Sequence, residues 1–466
     1  MLPIPGWVHY LAAFFMSVLA TENLQVSITN RQILKIALPI SFALFVPQIN
    51  FITNNIFLGQ LGEQELGAAG LTGVYYLIFA AIGFGLNNGL QALISRRAGE
   101  NRIEEIGKIF SQGVRISLCI AIAGIVITYF LAPMILRNAI ESEETYLQCV
   151  QFLRIRIWGL PFLFIYQMRN ALLVGTNQSK YLIAGTVAET IANIFFDYTL
   201  INGHWGFPKL GFNGAAYASI IAEALGMFVV FLVIHIKGIS KRFSLYRKFA
   251  FDRVNTKLIL EQSSPLILQH AISIISWVFF YILIEHHGKR DLAISNTMRN
   301  IFGFFGVFTW AFAATTNTMV SNVIGQGKKE LVILLINKIV RISMGISICV
   351  ALILNLFPHL FLSIYSQGEG FIEEAIPVVR IVSSALILMS FSTVWLNAVT
   401  GTGNSKVTLY IEAITILLYC LYVYLVLEVF NLPITIGWMS EWLYWSVLFT
   451  ASFLYIRSGK WKGKVI

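Results

Sequence analysis

Charge is scarce in this chain. Asp, Glu, Lys and Arg make up 12% of its 466 residues, against about 25% in a soluble domain. Hydrophobic residues reach 57% and the mean hydropathy is +0.73. One or two soluble cores cannot hide that much apolar surface, which excludes a soluble enzyme and a disordered chain. Cysteine is nearly absent. Cys119, Cys149, Cys349 and Cys420 lie within or beside apolar runs and form no CxxC pair, so they read as small packing residues, not disulfides or metal ligands. GQGKKE at 325–330 lacks the Walker spacing of an ATPase. GTGN at 401–404 reads as a loop, and His286–His287 is an isolated pair without a metal-ligand set. No nucleophile–His–acid arrangement is visible, so neither an enzyme nor a bound cofactor is expected. The net charge of +10 sits in short segments between apolar stretches, the pattern of membrane proteins, and no nucleic-acid partner is expected.

What remains is an all-α polytopic membrane protein in a lipid bilayer. A spanning helix needs roughly 20 apolar residues. Twelve stretches qualify, at about 33–57, 66–94, 110–133, 147–172, 181–202, 210–236, 258–285, 292–324, 332–360, 373–399, 407–430 and 433–456. Most of the Lys and Arg fall at the chain ends and in the even-to-odd loops, seven of them in 237–257. That bias places both termini and the central loop in the cytoplasm, with a bacterial inner membrane as the expected location. An extra apolar stretch at 7–20 is too short to span and reads as an interfacial or poorly ordered extension. Trp438, Trp442 and Trp445 are expected at the outer interface.

The two halves align at a constant offset of 226 residues. Pro39 matches Pro265, Gly99 matches Gly325, VRIS at 114–117 recurs at 340–343, and GTNQSK at 175–180 recurs as GTGNSK at 401–406. Six passes is an even number, so both halves enter the membrane the same way. They are expected to be two six-helix lobes related by a pseudo-two-fold axis along the membrane normal, leaving a cleft that opens alternately to each side. The organisation expected is an extension 1–30, a lobe 31–236, a linker 237–257, a lobe 258–456 and a tail 457–466. A duplication with no moving part is the plain alternative.

Ionisable groups inside a bilayer are costly and are candidates for function. Glu189, Asn193 and Asp197 are spaced by four and share one helix face. Glu223 is a further intramembrane acid, and Glu412 in the second half shows no equally polar neighbours along the sequence. Pro39 and Pro47 each remove a backbone donor from the first span and read as a hinge or as a static kink. Aromatic walls suit flat organic cations. Tyr166, Trp277 and Phe280, with Gln48, Glu189 and Glu223, are the candidates for a substrate cavity, although most aromatics of such a chain face lipid or core.

Several of these segments together resemble the multidrug and toxic compound extrusion (MATE) family. They are ALPI at 37–40, FLGQLG at 57–62, ISRRAGE at 94–100, GFNGAAYASIIAE at 211–223 and NAVTGTGNSK at 397–406. RIRIWGLPF at 154–162 and NIFFD at 193–197 look most like the branch related to DNA-damage-inducible protein F. The resemblance implies a twelve-helix exporter driven by sodium or protons. It places a coupling site in the first lobe, with the fifth-helix carboxylate at Asp197, its companion at Asn193, a hydroxyl at Ser219 and an asparagine at Asn170. The family's first-helix aspartate is replaced here by Asn54, and Pro47 followed by Gln48 stands where a glutamine is usual. Another branch carries a seventh-helix carboxylate at the position of Ser273, which argues against a carboxylate-based site there.

Two readings of the polar face compete. Asp197, Asn193, Asn54 and Ser219 supply one charge and several oxygens, a set that suits Na+. Alternatively Asp197 takes up a proton. A structural reading stands beside both, since buried Asp and Asn also clamp helices together. The function expected is export of an amphipathic, cationic organic compound by a monomer. The rivals are a flippase for lipid-linked precursors, which needs a cationic cavity built from Arg154, Arg299 or Arg380, and a membrane scaffold or sensor without transport.

Overall fold

In the computed structural model the described residues are 23–245, 250–365 and 368–466. The apolar stretch 7–20 lies outside them. The described chain is helical, without strands. Its helices are α1 (Asn30–Gly59), α2 (Glu63–Gly99), α3 (Ile103–Ala139), α4 (Glu143–Arg156), α5 (Leu160–Gly175), α6 (Leu182–Asn202), α7 (Phe212–Ile236), α8 (Ile239–Arg242), α9 (Arg253–His287), α10 (Lys289–Gly325), α11 (Val332–Leu356), α12 (Pro358–Leu362), α13 (Phe371–Gly401), α14 (Ser405–Val423), α15 (Ile434–Trp438) and α16 (Ser440–Arg457). Nine long apolar helices among the described residues meet the length and composition needed to cross a membrane. With α6, α10 and the α15–α16 pair, which carry more polar residues, they make twelve passes. α4 and α5 form one pass, joined by a 3₁₀ turn at Ile157–Gly159. A π-helical turn, Tyr424–Val429, extends α14.

The helix ends follow local chemistry. Thr29, Ser142 and Asp252 cap α1, α4 and α9, accepting from backbone N–H groups two to three residues on, which satisfies donors left free at a helix start. Gly203 ends α6 at φ +77°, a left-handed conformation open to glycine. Pro39 and Pro47 both lie inside α1, which runs unbroken from 30 to 59. The expected hinge is a continuous helix in this structure.

α2 and α10 begin and end 226 residues apart, as the repeat requires. Each is the spine of its half and both meet at the seam. In the first half α6 packs along α7, and α2 packs on α5 and α3; in the second, α13 packs on α10, α11 and α16, and α9 packs on α14. Across the seam α2 touches α9 and α10, and α1 touches α10.

Hydrogen bonds between the halves gather at one end of the seam. Arg96 is buried and donates to the carbonyls of Ser321, Gly401 and Thr402 at 3.0, 3.2 and 3.2 Å. Gln91 donates to Thr318 Oγ1 (2.7 Å), Ser321 to the Ala92 carbonyl (2.7 Å) and Asn317 to the Asn88 carbonyl (3.1 Å). The backbones meet too closely there for a side chain. A Cβ at Gly99 would lie 2.1 Å from the Asn322 oxygen, and one at Gly325 2.4 Å from the Arg96 oxygen.

Two peripheral segments reinforce the sealed end. Leu24 and Val26 are buried. Val26 N–H donates to Asn322 Oδ1 (3.0 Å), and Asn322 donates back to the Leu24 carbonyl (2.8 Å). Residues 23–29 are thus part of the packed structure. The connection between halves is likewise no free tether. Phe243 and Leu245 are buried, Ser111 on α3 donates to the Leu245 carbonyl at 2.9 Å, and α9 begins at Arg253, inside the expected linker 237–257.

Gly99→Val should push the sealed ends apart, since overpacking costs about 1–3 kcal/mol. The expected result is a lower melting temperature in detergent and increased labelling of a Ser95→Cys reporter by a water-soluble thiol reagent. Unchanged melting and labelling would show that the close approach matters little.

Candidate ion-binding site

α6 presents Asn193 and Asp197 one turn apart. Both are buried, Asp197 completely, because α6 lies between α1 and α7. The Asn54 carboxamide on α1 reaches the same point. With its nitrogen turned inward it donates to Asn193 Oδ1 at 2.9 Å, to the Asn50 carbonyl at 3.2 Å and to Asp197 Oδ2. The two ends of an amide are assigned from their surroundings, and turning this one by half a rotation puts an oxygen among three other oxygens. Asp197 Oδ1 and Asn50 Oδ1 are buried without a hydrogen-bond partner. The site therefore holds one carboxylate with an unused oxygen, Asp197 Oδ1, and the carbonyl oxygens of Asn193 and Asn50, a donor set that fits a small hard cation.

Three of the five expected site residues thus converge. Ser219 on α7 and Asn170 on α5 do not join them; both are half-buried, and neither makes a hydrogen bond to the cluster. Asn170 Oδ1 is a further buried acceptor without a partner.

Glu223 behaves differently from the sequence expectation. Instead of lining a cavity it is buried and paired with Arg156, which donates to its two oxygens at 2.9 and 2.5 Å. The guanidinium lies 3.8 Å from the ring centroid of Tyr76, whose hydroxyl donates to Glu223 at 3.4 Å. Such a fork holds a carboxylate at two points. Gly159 makes room for it, since a Cβ there would lie 2.4 Å from both Arg156 Nη1 and Glu223 Oε2. Arg156 and Tyr76 were not singled out from the sequence. The signal available was an intramembrane acid that needed a cation, with Arg156 one turn before a glycine.

Glu189 is half-buried, packs on Gly226 and makes no hydrogen bond among the described residues. Gln48 is half-buried. Tyr166 exchanges a hydrogen bond with Thr186 at 3.0 Å. Trp277 stacks on Tyr281 at 6.0 Å between centroids. Phe280 is fully buried, edge-on to Trp438, so it belongs to the core of the second half and not to a cavity wall. Trp438 is also fully buried, donating to Ser295 at 3.1 Å, and Trp445 donates to buried Glu441 at 2.9 Å. Of the three tryptophans expected at the outer interface, Trp442 is the exposed one.

Glu412 also departs from expectation. Its polar neighbours come from other helices. It is buried and accepts hydrogen bonds from Ser273 (2.8 Å) and Gln269 (3.4 Å) on α9 and from the Tyr444 hydroxyl on α16. Arg154, Arg299 and Arg380 are exposed. Arg154 lies over Tyr129 and Arg299 over Tyr281, so they do not gather into a cationic cavity. Among the described residues no three His, Cys, Asp or Glu side chains cluster as metal ligands, and His286 instead pairs with Glu428 at 2.9 Å.

A duplicated pair of six-pass halves, meeting along a seam and burying a carboxylate among amides, defines a two-lobed helical membrane transporter. The MatE family model matches residues 39–199 and again 265–425, each boundary displaced by the repeat offset of 226; the chain belongs to the MatE family. A protein named Probable multidrug resistance protein NorM from Thermotoga maritima is 21% identical over 445 residues, 94% of each chain. One of the same name from Synechocystis is 29% identical over 203 residues, 44% of each chain. A solved structure titled as the outward-facing conformation of a multidrug resistance MATE family transporter superposes with TM-score 0.86 at 18% identity, covering 95% of this chain and 97% of that one.

Arg156→Ala should strand Glu223 as a buried, uncompensated charge, a loss of about 3–5 kcal/mol in comparable cases. Thermal melting in detergent is expected to fall clearly and to recover in large part when Glu223→Gln is added. Equal melting of the single and double variants would mean the pair is not coupled.

Proposed function

We propose that the chain is an ion-driven secondary exporter of amphipathic organic cations, working as a monomer by alternating access between lobes spanning about 31–236 and 258–456. The observation that carries the reading is the convergence of Asn54 and Asn193 on the buried carboxylate of Asp197. The names of the relatives, which concern multidrug resistance, support the substrate class.

Sodium is the favoured coupling ion. The carboxylate brings one negative charge into a low-dielectric site, and a monovalent cation cancels it. Asn54 cannot exchange a proton, yet it can exchange roles. Its nitrogen satisfies the acid in the ion-free state, and its oxygen turns inward to ligate the ion. The amide rotation reverses a bond between α1 and α6, so ion binding is felt along α1. That helix carries Pro39 and Pro47 on its way to the sealed end of the seam, and a bend at either proline would relay the change. The proton reading differs only in what neutralises Asp197.

The loop charges put the sealed end in the cytoplasm, with both termini cytoplasmic in a bacterial inner membrane. A flippase of lipid-linked precursors is disfavoured because the three arginines it needs are dispersed over exposed surfaces. Binding of a small cationic organic molecule needs no nucleic acid, metal or cofactor beyond the coupling ion.

The test is efflux of a cationic dye from vesicles with one imposed gradient at a time. Wild type is expected to respond to a sodium gradient at constant pH. Asp197→Asn should lose the driven component entirely while eluting as a monodisperse protein. Drive by a pH gradient in sodium-free buffer would remove sodium in favour of protons. Undiminished efflux by Asp197→Asn would defeat the assignment of the site.

A further inference from the structure

We propose that the second lobe carries its own proton-accepting site, built around Glu412. The proposal goes beyond the ion site at Asp197 and rests on the exporter reading only for its role in coupling.

The geometry is that of a carboxylate with donors on several sides. Glu412 is 2% exposed and lies about 10 Å in from the start of α14, at 1.5 Å per residue. Ser273 Oγ donates at 2.8 Å and Gln269 Nε2 at 3.4 Å, both from α9, and Tyr444 OH donates from α16. All three partners are neutral, and no Lys, Arg or His pairs with Glu412 among the described residues. Glu223 in the first lobe shows what an acid with a fixed cation partner looks like here, for Arg156 forks onto it. Glu412 has no such partner among the described residues, so no fixed cation holds it ionised.

The titratable groups on the surrounding helices do not supply that charge. α16 contributes Tyr444 and, one turn away, Glu441, which accepts from Trp445. α14 itself contributes Tyr419, buried beside Phe280. α9 contributes His270, whose Nδ1 bonds the Leu266 carbonyl at 2.8 Å and whose ring stacks on Phe84 across the seam. The charged residues of α13, which also packs on α14, are Glu373, Glu374 and Arg380; all are exposed, and none touches Glu412.

A proton fits better than a metal ion. Gln269 Nε2 and Tyr444 OH donate to the carboxylate, but Ser273 Oγ also reaches the Gln269 carbonyl at 3.0 Å, and its single hydrogen serves one acceptor at a time. With that hydrogen on the carbonyl, Ser273 offers a lone pair to a protonated Glu412. A hydroxyl can turn and pass a proton on, so Ser273 and Tyr444 form the two ends of a short relay. The step is simple in balance. A proton from bulk water binds a carboxylate oxygen, a neutral acid forms, and the same proton returns to water when the site is released.

The repeat places the site outside the duplicated pattern. The residue 226 positions before Glu412 is Thr186, whose hydroxyl meets Tyr166 at 3.0 Å. The residue 226 positions after Asp197 is the buried Val423. Each lobe therefore has a buried acid where the other has a neutral residue.

Infrared difference spectroscopy of the purified full-length chain in lipid nanodiscs tests this without transport. A carboxylic-acid C=O band should appear as the pH is lowered, disappear in Glu412→Gln, persist in Asp197→Asn and ignore saturating sodium. Tyr444→Phe should keep the band and move it to higher frequency, because the carbonyl loses a donor. It also guards against a Glu412 variant that fails to fold. A band that survives Glu412→Gln in folded protein, that sodium abolishes at constant pH, or that Tyr444→Phe leaves unmoved would overturn the proposal. Failure of dye export in vesicles with the band intact would count against the exporter reading instead.

Discussion

A charge inside the bilayer has to be neutralised, and that requirement organises this structure. A carboxylate at the centre of a membrane helix costs about 2.5–3.5 kcal/mol even on lenient scales. The protein meets the cost in three different ways. Glu223 is closed off by the Arg156 fork. Asp197 is met by the amide of Asn54, which in turn donates to that of Asn193. Glu412 is held by neutral donors alone. The first solution is static, because nothing needs to come or go. The second and third have no fixed cation beside them, and this difference in partner, not the presence of an acid, sets them apart from the first.

The duplicated architecture gives these sites something to act on. Two spines offset by 226 residues, α2 and α10, meet through glycines at one end. The approach is close enough for backbone carbonyls to be bonded by side chains of the opposite half. Packed interfaces of this kind have few intermediate arrangements. The halves share a scaffold but not a chemistry, since Asp197 and Glu412 occupy unmatched positions of the repeat. The repeat conserves the mechanical frame and leaves the polar interior free to diverge.

Much of this was legible in the sequence. Twelve passes, the 226-residue repeat and the helix face of Asn193 and Asp197 all follow from spacing, because helical periodicity fixes which residues share a face. What spacing does not reveal is the partner on another helix. Glu412 looked isolated because its donors, Gln269, Ser273 and Tyr444, are far away in the chain. Arg156 was overlooked beside Glu223 for the same reason. Ser273 was read as evidence against an acid site, whereas the acid arrives from α14. Phe280 and Trp438 were legible as aromatics but not as core, since burial depends on how three helices close around them.

α1 is where the requirement for neutrality and the seam come together. Near one end it carries Asn54 against Asp197; the residues just before its other end, Leu24 and Val26, are bonded to Asn322 on α10. A helix transmits a displacement along its length when its backbone ladder is intact, and gives way where a proline has removed a rung. Pro39 and Pro47 lie between the two ends. The continuous helix seen here therefore corresponds to the arrangement in which the amide faces the acid and the seam is sealed. In the proposed mechanism, rotation of the amide to ligate an ion would loosen one anchor while the other stays fixed, and the weakened rungs would be where the strain is relieved.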